Sequence, residues 1–184
     1  MMVLQAQTKP MTFEEFLDYV LQPDNSERSF ELINGEMIEK MPGTTLNSAI
    51  PVNIAFHTRL HCRDKAIPCH ISTGDGAYRI GNNVVAPDMA YKQSPMSDQY
   101  PDPIAPIWVV EVISTNDKAS DIRKKRQVYQ DAGILLWEIY PELLSVDVYA
   151  PRQAPNTFQM GESLTLESVL PGFSLSVKAV FENG

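Results

Sequence analysis

The chain has 184 residues, of which 43% are hydrophobic, so it can bury one ordinary core but is too short for us to expect a second full domain. We therefore expect a single domain over residues 1–184. The formal net charge of −8 argues against broad attraction to nucleic acid, because an acidic surface repels phosphates over roughly a Debye length. Any contact with nucleic acid must be local, and the one dense basic cluster is RKKR at residues 123–126.

The opening segment MMVLQAQTKPMTFEEF lacks the basic start, the apolar stretch and the cleavage site of a secretory signal, and no apolar run is long enough to span a bilayer. These features predict a cytoplasmic protein without membrane contact. Two cysteines, Cys62 and Cys69, are too few and too loosely spaced for a disulfide framework and are expected to stay reduced. Together with His61 and His70 they form an HC…CH pattern, but its spacing is not typical of a zinc site.

The first predicted element is an amphipathic helix over residues 12–21, with Thr12 as its cap. A β-hairpin is expected over residues 30–40, because Asn34-Gly35 lies between two strand-like runs and favours a type I′ turn. The N-terminal part should therefore be a helix followed by a hairpin.

A second helix is expected over residues 47–62, provided that Pro51 lies in its first turn. Four strands should follow, and the proline-rich, polar stretch between the last two should be an exposed loop. The strands are expected at 69–73, 77–80, 84–92 and 107–114, and the loop at 93–106.

The last third begins with a polar helix over residues 117–132 that should end at Gly133, a good terminating residue. Strands at 135–140 and 145–150 follow, and a tail of short strands or turns should cover one sheet edge. Hairpins followed by a strand–helix–strand unit predict a mixed-sheet α/β domain with helices on its faces.

The most apolar run of the chain, PIWVVEVIS at residues 106–114, contains Glu111 near its middle. Both faces of this strand are otherwise apolar apart from the terminal Ser114, which is typical of a central strand covered on both sides. An ionised carboxylate there is costly unless it is paired, hydrogen-bonded or bound to a cation. Glu111 could therefore belong to a structural ion pair, or it could be a metal ligand or an acid–base group.

Two other segments carry a lone charge among apolar residues. Asp88 lies within APDMAY, and Lys125 lies on the same helical stripe as Ile122 and Tyr129. Lys125 could simply snorkel or pair with Asp121, whereas its three basic neighbours are expected to be solvated or to contact a polyanion. Two oxygen donors suit a hard cation such as Mg²⁺, and a lysine beside it could orient or deprotonate a water or stabilise charge on a phosphate.

These residues and one further acid lie in four segments: FELINGE with Glu31, APDMAY with Asp88, WVVEVIS with Glu111, and DIRKKRQVYQDAGILLWEIYP with Lys125. Their order and spacing resemble the Uma-type family of restriction endonuclease-like proteins, which belongs to the PD-(D/E)XK nuclease superfamily. The resemblance covers most of the chain, from about residue 13 to residue 149. It implies a restriction-endonuclease-like mixed β-sheet flanked by α-helices, with Mg²⁺- or Mn²⁺-dependent hydrolysis of DNA as the expected chemistry.

The resemblance also implies roles for individual residues. Asp88 and Glu111 correspond to the two acids of the superfamily motif and would bind the metal, and Lys125 would assist the attacking water. The motif position two residues after Glu111 is Ile113 here, but the family places its lysine on the following helix, where Lys125 matches. Glu31 could bind a second metal or orient a water, although an exposed or cross-strand-paired hairpin charge would explain it nearly as well.

Four further expectations concern alternatives and partners. Asn47 stands where relatives often carry a histidine, which argues against an acid–base role for that helix but not against metal binding. The competing hypothesis is a noncatalytic partner-binding or oligomerising protein that keeps the nuclease fold, and the acidic net charge favours it somewhat. A zinc-dependent hydrolase using His57, His61 and His70 has little support, because only the first two are four residues apart. A symmetric homodimer is the default, since enzymes that cut both strands of a duplex often pair two sites.

Overall fold

Residues 9–182 are described by a computed structural model, and over this range they form four α-helices and twelve β-strands. The helices are α1 (Phe13–Val20), α2 (Thr45–Asp64), α3 (Ala119–Asp131) and α4 (Val177–Val180). The strands are β1 (Ser29–Ile33), β2 (Glu36–Lys40), β3 (His70–Thr73), β4 (Tyr78–Ile80), β5 (Asn83–Val85), β6 (Met89–Lys92), β7 (Trp108–Val112), β8 (Leu135–Tyr140), β9 (Ser145–Tyr149), β10 (Asn156–Phe158), β11 (Ser163–Thr165) and β12 (Ser174–Ser176). Between residues 9 and 182, no helix has both the length and the apolar character needed to cross a membrane. The outermost residues of the predicted domain, 1–8 and 183–184, lie outside the described range.

Six strands form a mixed sheet in the order β10-β9-β8-β7-β6-β3. The neighbours β7 and β8 are parallel, and the other neighbouring strands are antiparallel. The parallel pair is connected through α3, because parallel neighbours need a crossover rather than a tight turn. β7 lies inside the sheet, and Trp108, Val109 and Val110 are fully buried on its two faces. The central, doubly covered strand predicted around Glu111 is therefore confirmed.

Four further strands form a second sheet in the order β2-β1-β5-β4. The predicted hairpin is confirmed as β1 and β2, and its turn residues Asn34 and Gly35 have the positive φ values, 52° and 79°, that a type I′ turn requires. The single strand predicted over residues 84–92 is wrong, because the chain leaves the second sheet after β5 and enters the six-stranded sheet as β6. Pro87 lies between the two strands and has no N–H for a ladder, so the chain changes sheet there and Asp88 follows at the junction.

The expectation that Pro51 lies in the first turn of its helix is also wrong. α2 begins two residues earlier than predicted, because Thr44 caps it by accepting a hydrogen bond of 3.2 Å from the N–H of Asn47. Pro51 therefore lies in the second turn, where its missing N–H removes one intrahelical hydrogen bond. The proline is buried, and burying its ring offsets part of that loss.

Two hydrophobic cores lie on opposite faces of the six-stranded sheet. On one face, α2 and the C-terminal segments pack against Trp108 and Trp137, whose rings are 4.8 Å apart. On the other face, α3 and the second sheet pack against Val109 and Leu136. The tail contains short strands as predicted, but the prediction that it covers a sheet edge is wrong. β11, β12 and α4 cover a face, because apolar residues such as Leu164 need burial, and the strand that extends the edge beyond β9 is β10.

α3 ends at Gly133 as predicted. Gly133 has a φ of 68°, and its N–H donates to the carbonyl of Gln130 at 3.0 Å. The N–H of Ile134 donates to the carbonyl of Tyr129 at 2.9 Å, which completes a Schellman motif. The left-handed glycine thus satisfies the last carbonyls of the helix and turns the chain into β8.

Arg126 contradicts the prediction that the three basic neighbours of Lys125 are solvated. Its guanidinium donates two hydrogen bonds to Glu138 of β8, at 2.8 and 2.6 Å, and the side chain of Glu138 is only 2% exposed. Tyr140 donates a further hydrogen bond to Glu138, and the guanidinium lies over the ring of Tyr149. This bidentate pair fixes the middle of α3 on β8, because the planar guanidinium matches the carboxylate at both oxygens.

The Arg126–Glu138 pair yields a stability prediction. Arg126→Met should destabilise the protein by ~3–5 kcal/mol, because Glu138 would remain buried without its counter-charge. The double variant Arg126→Met/Glu138→Leu should recover most of that loss, since it leaves no unpaired charge inside. Urea unfolding of the wild type, both single variants and the double variant measures the coupling.

The exposed Arg123 on the same helix is the matched control, and Arg123→Met should change stability by no more than about 0.5 kcal/mol. Single-variant losses at residues 126 and 138 that simply add in the double variant would show that the two side chains are not energetically coupled.

Candidate active site

The four side chains singled out in the sequence come together between the two sheets and α3. The Nζ of Lys125 on α3 lies 2.8 Å from Oε1 of Glu31 on β1 and 2.9 Å from Oε1 of Glu111 on β7. Asp88 joins them from the junction before β6, where its Oδ2 accepts a hydrogen bond of 2.7 Å from the N–H of Val112. We call Glu31, Asp88, Glu111 and Lys125 the carboxylate cluster.

Strand register brings Asp88 to Glu111. In the antiparallel pair of β6 and β7, Met89 lies opposite Val110, so the residue before Met89 lies across from the residue after Val110. Asp88 was expected to be buried within a strand, but its side chain is 29% exposed, against 11% for Glu111. The chain bends at Asp88 before β6 begins, which places this carboxylate at the open side of the cluster.

Glu31 is buried, with 6% of its side chain exposed. Besides contacting Lys125, its Oε1 accepts a hydrogen bond of 2.7 Å from the N–H of Ala86. The alternative of an exposed or cross-strand-paired hairpin charge is therefore wrong, because the residue opposite Glu31 on β2 is Ile38 and its carboxylate points into the cluster. Glu31 thereby ties the second sheet both to α3 and to the segment that precedes Asp88.

Tyr129 belongs to the site and was not predicted to do so. Its hydroxyl donates a hydrogen bond of 2.6 Å to Oε1 of Glu111. Lys125 and Tyr129 are four residues apart on α3, so they share one helix face and reach the same carboxylate. That spacing was visible in the sequence, but there it indicated only an apolar stripe.

A second lysine, Lys40 at the end of β2, was also missed. Its Nζ lies 3.6 Å from Oδ1 of Asp88 and donates a hydrogen bond to the carbonyl of Ala86. The side chain of Lys40 is 24% exposed, against 13% for Lys125. No local pattern distinguishes Lys40 from an ordinary hairpin lysine, because only the packing of the two sheets brings it to Asp88.

Burial and charge together set the protonation of the cluster. Burial raises the pKa of Glu111 to about 7, and the negative charges of Asp88 and Glu31 add to the rise while Lys125 and Lys40 oppose it. Burial alone would lower the pKa of Lys125, but the charges of Glu111, Glu31 and Asp88 outweigh it and raise that pKa. Lys125 is therefore a proton donor at neutral pH and is poorly suited to deprotonate a water.

Tyr129 also keeps its proton. Burial raises the pKa of its hydroxyl well above the ordinary value, and the neighbouring charge of Glu111 raises it further. The phenol therefore stays a neutral hydrogen-bond donor. Together with Lys125, it holds the Glu111 carboxylate in a fixed orientation.

The acids of the carboxylate cluster are of a type that binds metal ions, but their positions are not those of a metal site. Within residues 9–182, no three Asp, Glu, His or Cys side chains are placed to hold a metal ion, and in the carboxylate cluster the ammonium of Lys125 contacts both Glu31 and Glu111. The donor set still fits a hard divalent cation, since its side-chain acceptors are all carboxylate oxygens. When ionised, the three acids exceed Lys40 and Lys125 by one negative charge, and among the described residues Oδ1 of Asp88 accepts no hydrogen bond.

The three histidines of the zinc alternative lie outside the carboxylate cluster, because His57 and His61 are on α2 and His70 is the first residue of β3. Cys62, also on α2, is buried in the core, and burial raises the pKa of its thiol. His61 packs edge-on against Phe173, with ring centres 5.5 Å apart. Both Cys62 and Cys69 are free thiols, as expected.

The RKKR cluster is not a free basic patch. Lys124 pairs with Glu36 on β2 at 2.6 Å, Arg126 is engaged by Glu138, and Lys125 is engaged by two acids of the carboxylate cluster. Of the four residues, Arg123 is the exposed one. Little of this positive charge is therefore available to an approaching polyanion.

Comparisons with known proteins agree with the predicted fold. The model of the Uma2 family, described as "Putative restriction endonuclease", matches residues 13–178. The chain is also similar to the crystal structure of a protein from Anabaena variabilis ATCC 29413, described as a "putative nuclease belonging to DUF820". The two share 22% identity over 94% of this chain and 98% of the other, with a TM-score of 0.79, which shows a common fold and confirms the predicted fold class.

No curated protein matches the chain. The family match, in contrast, spans most of the chain and includes all four residues of the carboxylate cluster. It confirms the resemblance read from the sequence, and the chain belongs to the Uma2 family.

Proposed function

We propose that this protein is a metal-dependent endonuclease that hydrolyses phosphodiester bonds in DNA. The observation that carries the proposal is a cluster of three carboxylates with excess negative charge, in which Lys125 contacts Glu31 and Glu111 while Lys40 lies 3.6 Å from Asp88. Buried groups with strongly shifted pKa values are typical of catalytic sites, although structural ion pairs shift them too. The family description and the printed title of the Anabaena structure support nuclease chemistry in particular.

In this proposal, Asp88 and Glu111 hold Mg²⁺ or Mn²⁺, with Glu31 as a further oxygen donor. A cation bound there would stabilise charge on a phosphoryl oxygen and make a water more acidic. Glu111 must first lose its proton, because its pKa is raised to about 7. Protonated Lys125 orients the two glutamates, one of which would hold the cation together with Asp88.

The second candidate is a noncatalytic partner-binding or oligomerising protein that keeps the nuclease fold. One specific observation favours it: Lys125 already pairs with Glu31 and Glu111 at 2.8 and 2.9 Å, as it would in a purely structural ion-pair network. The acidic net charge of −8 points the same way. The symmetric homodimer and the cytoplasmic location expected from the sequence remain proposals, and sedimentation equilibrium of the purified protein tests the first.

Cleavage assays test the proposed activity directly. Supercoiled, linear duplex and single-stranded DNA should be cut in Mg²⁺ or Mn²⁺ by the wild type. Glu111→Gln and Lys125→Ala should each lower kcat by about 10²-fold or more, since each removes a charge placed at the reacting groups. The exposed Glu142 is a matched control, and Glu142→Gln should leave the rate unchanged. A wild type inactive on all three substrates, or equal activity in all the variants, would refute the nuclease assignment.

The raised pKa of Glu111 predicts a pH dependence. In the folded protein this pKa is about 7, against an ordinary value of 4.5. The contribution of neutral Glu111 to the free energy of unfolding is therefore fully present below about pH 4.5 and is lost as the pH rises through 7. Cation binding needs the carboxylate and should strengthen over the same range, by up to ~10-fold per pH unit below the folded pKa. Calorimetric titration of Mn²⁺ from pH 5.5 to 8.5 measures this, and Glu111→Gln should abolish the slope. A wild-type affinity that does not change with pH would contradict the role of Glu111.

Asp88→Asn discriminates between the two candidate functions. For a nuclease, saturating Mn²⁺ should raise the Tm of the wild type, because at 100 times Kd bound cation adds about 2.7 kcal/mol to the free energy of unfolding. The Tm of Asp88→Asn should not change with Mn²⁺. For a noncatalytic module, Mn²⁺ should affect neither protein, and Asp88→Asn should be tolerated or even stabilising, because repulsion from Glu111 falls. Thermal unfolding of both proteins with and without Mn²⁺ measures this difference.

A further inference from the structure

The two lysines of the site differ in how many of their donors are engaged. A lysine ammonium carries three N–H donors. The Nζ of Lys125 has three carboxylate oxygens within reach: Oε1 of Glu31 at 2.8 Å, and both Oε1 and Oε2 of Glu111 at 2.9 Å. Lys125 is also 13% exposed, so it is both saturated and enclosed. It has little capacity left for a ligand that arrives from outside.

Lys40 is in the opposite situation. One of its donors binds the carbonyl of Ala86, and its distance of 3.6 Å to Oδ1 of Asp88 is an ion-pair distance rather than a hydrogen bond. Its side chain is 24% exposed, close to the 29% of Asp88. Lys40 therefore borders the open side of the carboxylate cluster, and within residues 9–182 it has donors that are not engaged.

The position of Lys40 is fixed by the site itself. Ala86 accepts the hydrogen bond from Lys40 at its carbonyl and donates its own N–H to Glu31 at 2.7 Å. Two residues later the same segment supplies Asp88. Residues 86–88 therefore contact Lys40 directly, and they contact Lys125 indirectly through Glu31. The ammonium of Lys40 is thereby held in place and does not sample the rotamers of an exposed lysine.

A polyanion that approaches this site needs a cation near the mouth. The protein carries a net charge of −8, and two residues of the basic cluster, Lys124 and Arg126, are paired with Glu36 and Glu138. The carboxylate cluster itself adds three acids whose negative charges repel phosphate. Lys40 lies beside the most exposed of these acids, where its charge can offset that repulsion at short range.

We propose that Lys40 contacts a nonbridging phosphate oxygen of the nucleic-acid backbone beside Asp88. The inference rests on the proposed nuclease function and assigns Lys40 to substrate binding, whereas Lys125 orders the carboxylates. A point charge on a lysine suits this task, because backbone contacts need charge and proximity and do not depend on base sequence.

Salt-dependent kinetics test the assignment. Cleavage of one short duplex in Mg²⁺ is measured over a series of NaCl concentrations for the wild type, Lys40→Met, Lys40→Arg and the control Lys124→Met. Lys40→Met should raise KM by about 10-fold, with a smaller change in kcat, and should reduce the slope of log(kcat/KM) against log[NaCl] by about 1, as loss of one phosphate contact requires. Lys40→Arg should restore the slope, and Lys124→Met should keep it.

The possible outcomes distinguish a failure of the phosphate contact by Lys40 from a failure of the proposed nuclease function. An active wild type whose salt slope is the same in Lys40→Met would overturn the phosphate contact and leave the nuclease function standing. A Lys40→Met variant that loses Mn²⁺ affinity or folding stability but keeps the slope would show that Lys40 is only a counter-ion of Asp88. A wild type without cleavage would overturn the nuclease function, and the assignment of Lys40 would fail with it.

Discussion

The ammonium of Lys125 bridges Glu31 and Glu111, and the surrounding layers of the structure meet at this contact. Glu31 comes from the second sheet, Glu111 from the middle of the six-stranded sheet, and Lys125 from the helix that connects β7 to β8. None of the three charges could be buried alone, because desolvation of an unpaired ion costs several kcal/mol. The packing of the two sheets against α3 therefore brings all three charges together, so that each has a partner.

The same contact limits what the site can do. Lys125 stays protonated because three acids surround it, while burial keeps the pKa of Glu111 near neutrality. Near neutral pH, a bound cation could therefore replace the proton of Glu111. Such a cation would offset the one negative charge by which the three acids exceed Lys40 and Lys125. A structural ion pair has no need of this excess charge, and the excess is the physical link between the fold and the proposed chemistry.

The basic residues of α3 show how neighbouring charges can have separate tasks. Lys124 binds the hairpin, Lys125 enters the carboxylate cluster, and Arg126 binds β8 through Glu138. Consecutive residues on a helix point in directions about 100° apart, so each reaches a different element. Three residues of this run, which reads as one basic patch, instead hold the helix against β1, β2, β7 and β8. In our proposal, Lys40 from another part of the chain faces the incoming anion.

By itself, the sequence determined that Glu111 lies inside a doubly covered strand, that Lys125 shares a helix face with Tyr129, and that the chain turns at Asn34-Gly35 and Gly133. The alternation of apolar residues along a strand and their spacing along a helix indicate which face a side chain occupies, because both depend only on local backbone geometry. Only the tertiary structure decided that Asp88 follows a change of sheet at Pro87, that Glu31 is buried, and that Lys40 and Arg126 have partners in the fold. The partner of a buried charge comes from whichever element packs against it, and local periodicity carries no information about that choice.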